Sequence, residues 1–151
     1  MGGASIDHGF AIANDKHGYL YIAGDFSGTA DFDPGAGVYT ITSQGGYDVF
    51  VCKLDTSGNF IWAKQMGGPN YDTVGSLVIN PLGEVLISGN FQGTADFDPG
   101  ASVYNITSAG DVDIYVCKLD SSGSLAWAVH QGGVSYDAAS GLAVDGSGNV
   151  Y

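Results

Sequence analysis

Arginine is absent from this chain, and lysine occurs only four times, as Lys16, Lys53, Lys64 and Lys118. Sixteen acidic residues stand against them, for a net charge of −12. A surface of this sign repels a phosphate backbone, which argues against direct nucleic-acid binding. The same shortage removes any polybasic contact with a membrane. Long apolar runs are missing too: no stretch approaches the ~20 residues of a membrane helix. No signal peptide is visible at Met1-Gly2-Gly3, which lacks a basic region and an apolar core. No segment of useful length has a helical apolar period, so essentially no helix is expected. The sequence also lacks a G-x-S-x-G elbow, a P-loop and an H-E-x-x-H pair. Glutamate occurs once, as Glu84; the other acids are all aspartate, a residue of turns and caps.

What the chain has in quantity is glycine, 25 of 151 residues, set between short apolar runs, as in an all-β chain with many turns. It also repeats itself every 65 residues without a gap. Gly28-Thr29-Ala30-Asp31-Phe32-Asp33-Pro34-Gly35-Ala36 returns as Gly93 to Ala101, and Val51-Cys52-Lys53-Leu54-Asp55 returns as Val116 to Asp120. Gly2-Gly3 returns as Gly67-Gly68 and Gly132-Gly133. About half of the positions in the two full copies are identical. A period of this size signals a repeat architecture, in which one unit needs neighbours to bury its apolar face.

Each copy reads as four strands. The first is Phe10 to Asn14, matched by Ser76 to Asn80 and Gly141 to Asp145. The second is Tyr19 to Phe26, matched by Glu84 to Phe91. The third is Asp48 to Leu54, matched by Asp113 to Leu119, and the fourth is Phe60 to Gln65, matched by Leu125 to His130. In the second strand Leu20 and Ile22 alternate with Tyr19 and Tyr21; in the third, Phe50, Cys52 and Leu54 alternate with Val49, Val51 and Lys53. Glycine recurs at the same point of the first turn in all copies, which calls for a left-handed backbone there. Between strands two and three runs a long connection, Ser27 to Tyr47, whose stretch from Val38 to Ser43 adds an edge strand. Four hairpin-linked strands in tandem are the signature of a propeller blade. The fold expected is all-β: tandem four-stranded antiparallel blades of a β-propeller, about two and a third of them. The expected units are 2–66, 67–131 and the start of a third at 132–151. Two blades and part of another cannot close a ring, so exposed apolar faces are expected, with either self-association or origin as a fragment.

The run from Gly132 to Tyr151, GGVSYDAASGLAVDGSGNVY, resembles the bacterial SBBP repeat, a seven-bladed β-propeller repeat patterned as GG, D, an apolar strand and D-x-x-G-N-V-Y. The variant with a DFDPG insertion and a V-x-K-L-D strand looks like those of long secreted or cell-surface bacterial proteins. The resemblance implies the propeller fold and an extracellular or cell-surface location. It says little of activity, since propellers host many functions.

Asp31 and Asp33, with Asp96 and Asp98 in the copy, are the best candidates for chemistry. Carboxylates spaced i, i+2 in a loop can converge on Ca²⁺, which wants six to eight hard oxygens. The competing reading makes DPG a type II turn that Asp33 caps. Cys52 and Cys117 occupy equivalent places, too far apart for the ~5.5 Å Cα separation of a disulfide, and read as buried apolar residues. His8, His17 and His130 have no counterpart in the other copy and read as surface residues. Trp62 and Trp127 read as packing. Tyr39, Tyr47, Tyr71, Tyr104 and Tyr136 lie near loops, where they could stack on a sugar or pack between blades. The function expected is a non-enzymatic scaffold, adhesion or ligand-binding module. Its partners would be other blades of the same protein, or a protein or carbohydrate ligand. The alternative is a segment of a propeller hydrolase or lyase whose catalytic residues lie elsewhere.

Overall fold

Five hairpins of the chain are closed by one device. Asp15 Oδ1 accepts the N–H groups of His17 and Tyr19, at 2.8 and 3.1 Å. Asp55 does the same for Ser57 and Asn59, and Asn80 for Leu82 and Glu84. Asp120 serves Ser122 and Ser124, and Asp145 serves Ser147 and Asn149. Three residues after each acceptor stands a glycine (Gly18, Gly58, Gly83, Gly123, Gly148) with φ between 79° and 86°. A side chain is strained in that region, and the Asx bonds hold the backbone in it. Side-chain hydrogen bonds from Asn59, Ser122 and Asn149, with these backbone bonds after them, favour the ionised acid and hold Asp55, Asp120 and Asp145 below the ordinary carboxylate range.

The computed structural model describes all of residues 1–151 and contains no helix. Its strands are β1 (Gly2–Gly3), β2 (Asp7–Asn14), β3 (Leu20–Phe26), β4 (Thr29–Asp31), β5 (Thr40–Thr42) and β6 (Asp48–Leu54). They continue as β7 (Phe60–Met66), β8 (Asp72–Ile79), β9 (Val85–Asp96), β10 (Asn105–Leu119) and β11 (Leu125–Gln131). Three antiparallel sheets result, none closed on itself. The order is β2-β3-β6-β7 in the first, β8-β9-β10-β11 in the second and β1-β4-β5 in a small third. Each four-stranded sheet is a meander, as the hairpin spacing predicts.

The long connection is a hairpin. Thr29, Ala30 and Asp31 pair with Thr42, Ile41 and Thr40. So β5 is shorter than the stretch Val38 to Ser43 suggested, and β4 is an added strand. In the second copy these segments merge into β9 and β10, with the register breaking only between Thr107 and Val112. The glycine pairs lie against this hairpin: Gly2 opposite Asp31, and Gly67 opposite Asp96. One aspartate secures each pair. Asp7, Asp72 and Asp137 each accept, through Oδ2, the N–H of Gly3, Gly68 and Gly133 at 2.7 Å.

The two large sheets meet face to face. Tyr21, Ala23, Val49, Val51 and Met66 of the first form one cluster with Val85, Ile87, Phe91, Tyr115, Cys117 and Leu119 of the second. β8 lies against β2, β3 and β6. The opposite side of the first sheet holds a smaller cluster, with Phe26, Phe32, Phe50, Cys52 and Leu54. Those five positions plus 65 are Phe91, Phe97, Tyr115, Cys117 and Leu119. Both cysteines are buried and free, and burial pushes each thiol up to about 12. The segment after Gln131 reaches back through Asp137 N–H to Val112 O (2.9 Å) and Ala139 N–H to Asn90 Oδ1 (3.0 Å). The strand expected over Gly141 to Asp145 is present only as a bridge between Val144 and Val150.

Candidate functional site

The four candidate aspartates shape their own loops. Asp31 Oδ1 accepts the N–H groups of Asp33 (3.0 Å) and Tyr39 (2.8 Å), and Asp33 Oδ1 accepts that of Gly35 (2.7 Å). The copy repeats this: Asp96 Oδ1 with Asp98 and Tyr104, Asp98 Oδ1 with Gly100. Bonds from Tyr39 and Asp33 hold the Asp31 carboxyl below its ordinary range. The protein hydrogen bonds of all four run through Oδ1, leaving Oδ2 free of them. The structure therefore gives each pair a turn-forming role, but not in the type II turn expected, since neither Gly35 nor Gly100 has a positive φ. It brings two carboxylates to each loop and no further acid, histidine or cysteine within metal-binding reach.

Where the second loop sits could not be read from the sequence. Asp96, Asp98 and Pro99 form one wall of a cavity of about 240 Å³, and Tyr39, Lys64 and Gln65 of the first unit form the other. Seven of its ten lining residues are not hydrophobic, so it suits a polar guest. Tyr39 stands at the rim, its ring 4.8 Å from that of Phe60. Gln65 is fixed from below: Nε2 donates to Thr42 O (3.0 Å) and Asp48 Oδ2 (2.5 Å). Lys64 takes part in none of the chain's ion pairs, and its stem passes the Gly123 turn of the second unit. The same place on the second unit is an open depression of about 470 Å³ bounded by Tyr104, Ile106, Ala128 and His130. These are Tyr39, Ile41, Ala63 and Gln65 plus 65. The half-site thus recurs with a constant tyrosine and changed neighbours: Lys64 becomes Val129, and Gln65 becomes His130.

Two other groups escaped sequence reasoning. His8 is a half-exposed histidine whose Nδ1 lies 2.7 Å from Oδ1 of the buried Asp25. Its ring also packs near Phe10 and Tyr47. Burial raises the Asp25 pKa, and the His8 contact opposes it. The second copy has Thr73 and Asn90 at these positions. Likewise His130 Nε2 is 3.8 Å from the buried Asp113. Two of the three histidines are therefore surface residues, as expected, whose rings also face buried carboxylates. The signal available was the spacing of histidine and aspartate on paired strands, and it was visible only once the register of β2 with β3 was known.

The second group is a pair of buried aspartates beneath Gly67, where an added Cβ would lie 2.7 Å from Asp48 Cγ and 3.0 Å from Asp72 Oδ2. Each has a buried Oδ1 with no hydrogen-bond partner. Desolvation first, then the nearby Asp48 charge, pushes Asp72 up to about 7 against the opposing bond from Gly68 N–H.

No helix of the chain is long and apolar enough to cross a membrane. No family model matches the chain. It is 28% identical over 137 residues to the regulatory protein FlaEY of Caulobacter vibrioides, covering 89% of this chain and 14% of that protein. It is 23% identical over 122 residues to an uncharacterized WD repeat-containing protein of Acanthamoeba polyphaga mimivirus, covering 72% of this chain and 8% of that one. The chain thus spans only a small part of the curated relatives it matches, and the second likeness weakly suggests a propeller-type repeat.

Proposed function

We propose that the chain is a run of β-propeller blade units, of the kind its resemblance to the SBBP repeat implies, serving as a non-enzymatic binding scaffold of an extracellular or cell-surface protein. The observation that carries the reading is the contact between the two large sheets. The Tyr21 side of the first packs on the side of the second that corresponds to the first sheet's own Phe26 side. An interface joining two different faces of the same unit is head-to-tail, and it can be repeated by every further unit. The WD repeat-containing relative points the same way. The Asp-rich, arginine-free composition suits a soluble surface that presents one loop many times.

Other units of the same protein are the partners this interface calls for. The test is to append a complete 65-residue unit in register after Gln131 and compare urea unfolding of the two chains. Each added unit should raise the midpoint and the m-value together. An unchanged midpoint would remove the head-to-tail reading. A propeller enzyme with its catalytic residues in other units is the competing reading. In its favour stands the His8–Asp25 contact, a base-orienting geometry that breaks the repeat. A hydrolytic activity of the longer protein that His8→Ala abolishes, with stability unchanged, would decide for it.

A further inference from the structure

The cavity between the DFDPG loop of one unit and the sheet of the preceding one is lined mostly by polar residues. We propose that it is a binding site for a neutral pyranose ring, built once at every junction between units. The proposal rests on the repeat-array reading above, since it is the junction that completes the site.

Three features select this class of ligand. Asp96 and Asp98 spend Oδ1 on the backbone and keep Oδ2 free to accept from hydroxyls. Together with the −12 charge of the chain they repel an anion. Lys64 on the opposite wall is free of ion pairs, and its positive charge disfavours a metal cation. Tyr39 lines the same wall with its ring tilted against that of Phe60, and Gln65 is held in place by Thr42 and Asp48. A compact neutral guest carrying several hydroxyls satisfies these polar groups. At ~30 Å³ per water, 240 Å³ is the space of about eight waters, which fits one sugar ring and not an extended drug-sized ligand. The tyrosine and the loop aspartates recur at the same positions of the copy, whereas positions 44, 64 and 65 change to Ala109, Val129 and His130. Successive junctions therefore share the acceptors and the aromatic and differ in the residues that discriminate one sugar from another.

The test is a titration of the ¹⁵N-labelled full chain, followed by amide shifts. One arm uses methyl pyranosides of glucose, galactose, mannose and N-acetylglucosamine; the other uses linear oligosaccharides of the same sugars. Saturable shifts at Gln65, Asp98 and Gly100 are expected from at least one sugar. Tighter binding of oligosaccharides than of the methyl glycoside would identify a glycan residue as the ligand, and equal binding a free sugar. Asp98→Asn keeps the acceptor for Gly100 N–H but replaces the free oxygen, and should weaken binding about tenfold or more. Tyr39→Ala should do the same. Asp33→Asn, the equivalent change in the first loop, should leave it unaltered. No saturable shift from any sugar in the folded chain would overturn the proposal. So would binding indifferent to Asp98→Asn and Tyr39→Ala, or calcium chloride alone saturating the same amides. The stability gained by appending a unit is measured without sugar, so the array reading can survive the loss of this one.

Discussion

Val51 and Val116 are the same residue at the same point of the repeat, yet Val51 is fully buried and Val116 is half-buried. Their neighbours Val49 and Lys53 are buried, and Ile114 and Lys118 are half-buried. On the opposite face the order reverses. Leu77 is 8% exposed, while its counterpart Ile12 is 67% exposed. The first unit has its Tyr21 side covered by the second, and the second has its other side covered by the first. Burial here is a property of the junction and not of the residue. A unit presents two apolar faces, and which is a core depends on what stands next to it.

The broadest break in this comparison is a charge placed at both copies of one position. Val51→Asp would put an unpaired carboxylate between the sheets and should cost more than about 4 kcal/mol, whereas Val116→Asp should cost about 1 kcal/mol. Urea unfolding followed by tryptophan fluorescence measures both, and equal losses would mean that the two sheets do not meet as described. Truncating the opposite face inverts the order: Leu77→Ala should cost about 2–4 kcal/mol and Ile12→Ala less than about 0.5 kcal/mol, by the same measurement.

Next comes pH. Asp72 has a folded pKa of about 7 against an ordinary 3.8, so the folded state binds the proton more tightly. Its contribution is complete below pH 4 and is lost as pH rises to about 7, at a limiting slope of about 1.4 kcal/mol per pH unit. Asp31, Asp55, Asp120 and Asp145 run the other way: their pKa values are depressed, and their contribution is lost as pH falls below the ordinary carboxylate range. Stability should therefore peak in mildly acidic solution. Asp72→Asn, which keeps an acceptor for Gly68 N–H, should flatten the alkaline side of a Tm-against-pH curve. A curve unchanged by that substitution would show that Asp72 is ionised in the fold.

Smaller effects separate the two copies of one hairpin. A methyl at Gly58 meets nothing within 4 Å, and one at Gly123 meets Lys64 Cε at 2.9 Å and Trp62 beyond it. Both alanine variants bear the cost of a positive φ, about 1 kcal/mol, and Gly123→Ala should lose more in thermal melting because the first unit lies against it. Smallest is the response to calcium. With Oδ1 of each loop aspartate engaged by backbone, millimolar calcium or a chelator should leave Tm within 1–2 °C (an order-of-magnitude bound from the usual slope of Tm on stability). A larger rise would assign the DFDPG loops to a metal.

Much of the local structure was legible in the residues. Alternation in Leu20 to Phe26 and Asp48 to Leu54 gave both strands and both faces, because a side-chain period of two has one reading. The glycines at 18, 83 and 148 announced their left-handed turns. Less legible was the connection between strands two and three. Thr29 to Asp31 is too short for a pattern and becomes a strand only by pairing with β5 and Gly2-Gly3. Of the candidate site, the sequence supplied Asp96 and Asp98 and named Tyr39, but it could not bring them together. Lys64 and Gln65 lie about thirty positions from those aspartates, and nothing local to either segment records that distance.

The sequence by itself determined the repeat, the strands of the two large sheets, the hairpin turns and the two apolar faces, because each depends on residues within a few positions of one another. Only the tertiary structure decided which face is covered, that His8 meets Asp25, that Asp72 lies buried beside Asp48, and that a loop of one unit completes a cavity on the preceding one. Those outcomes depend on contacts between residues tens of positions apart, where desolvation and charge are set by the neighbouring sheet and not by the chain on either side.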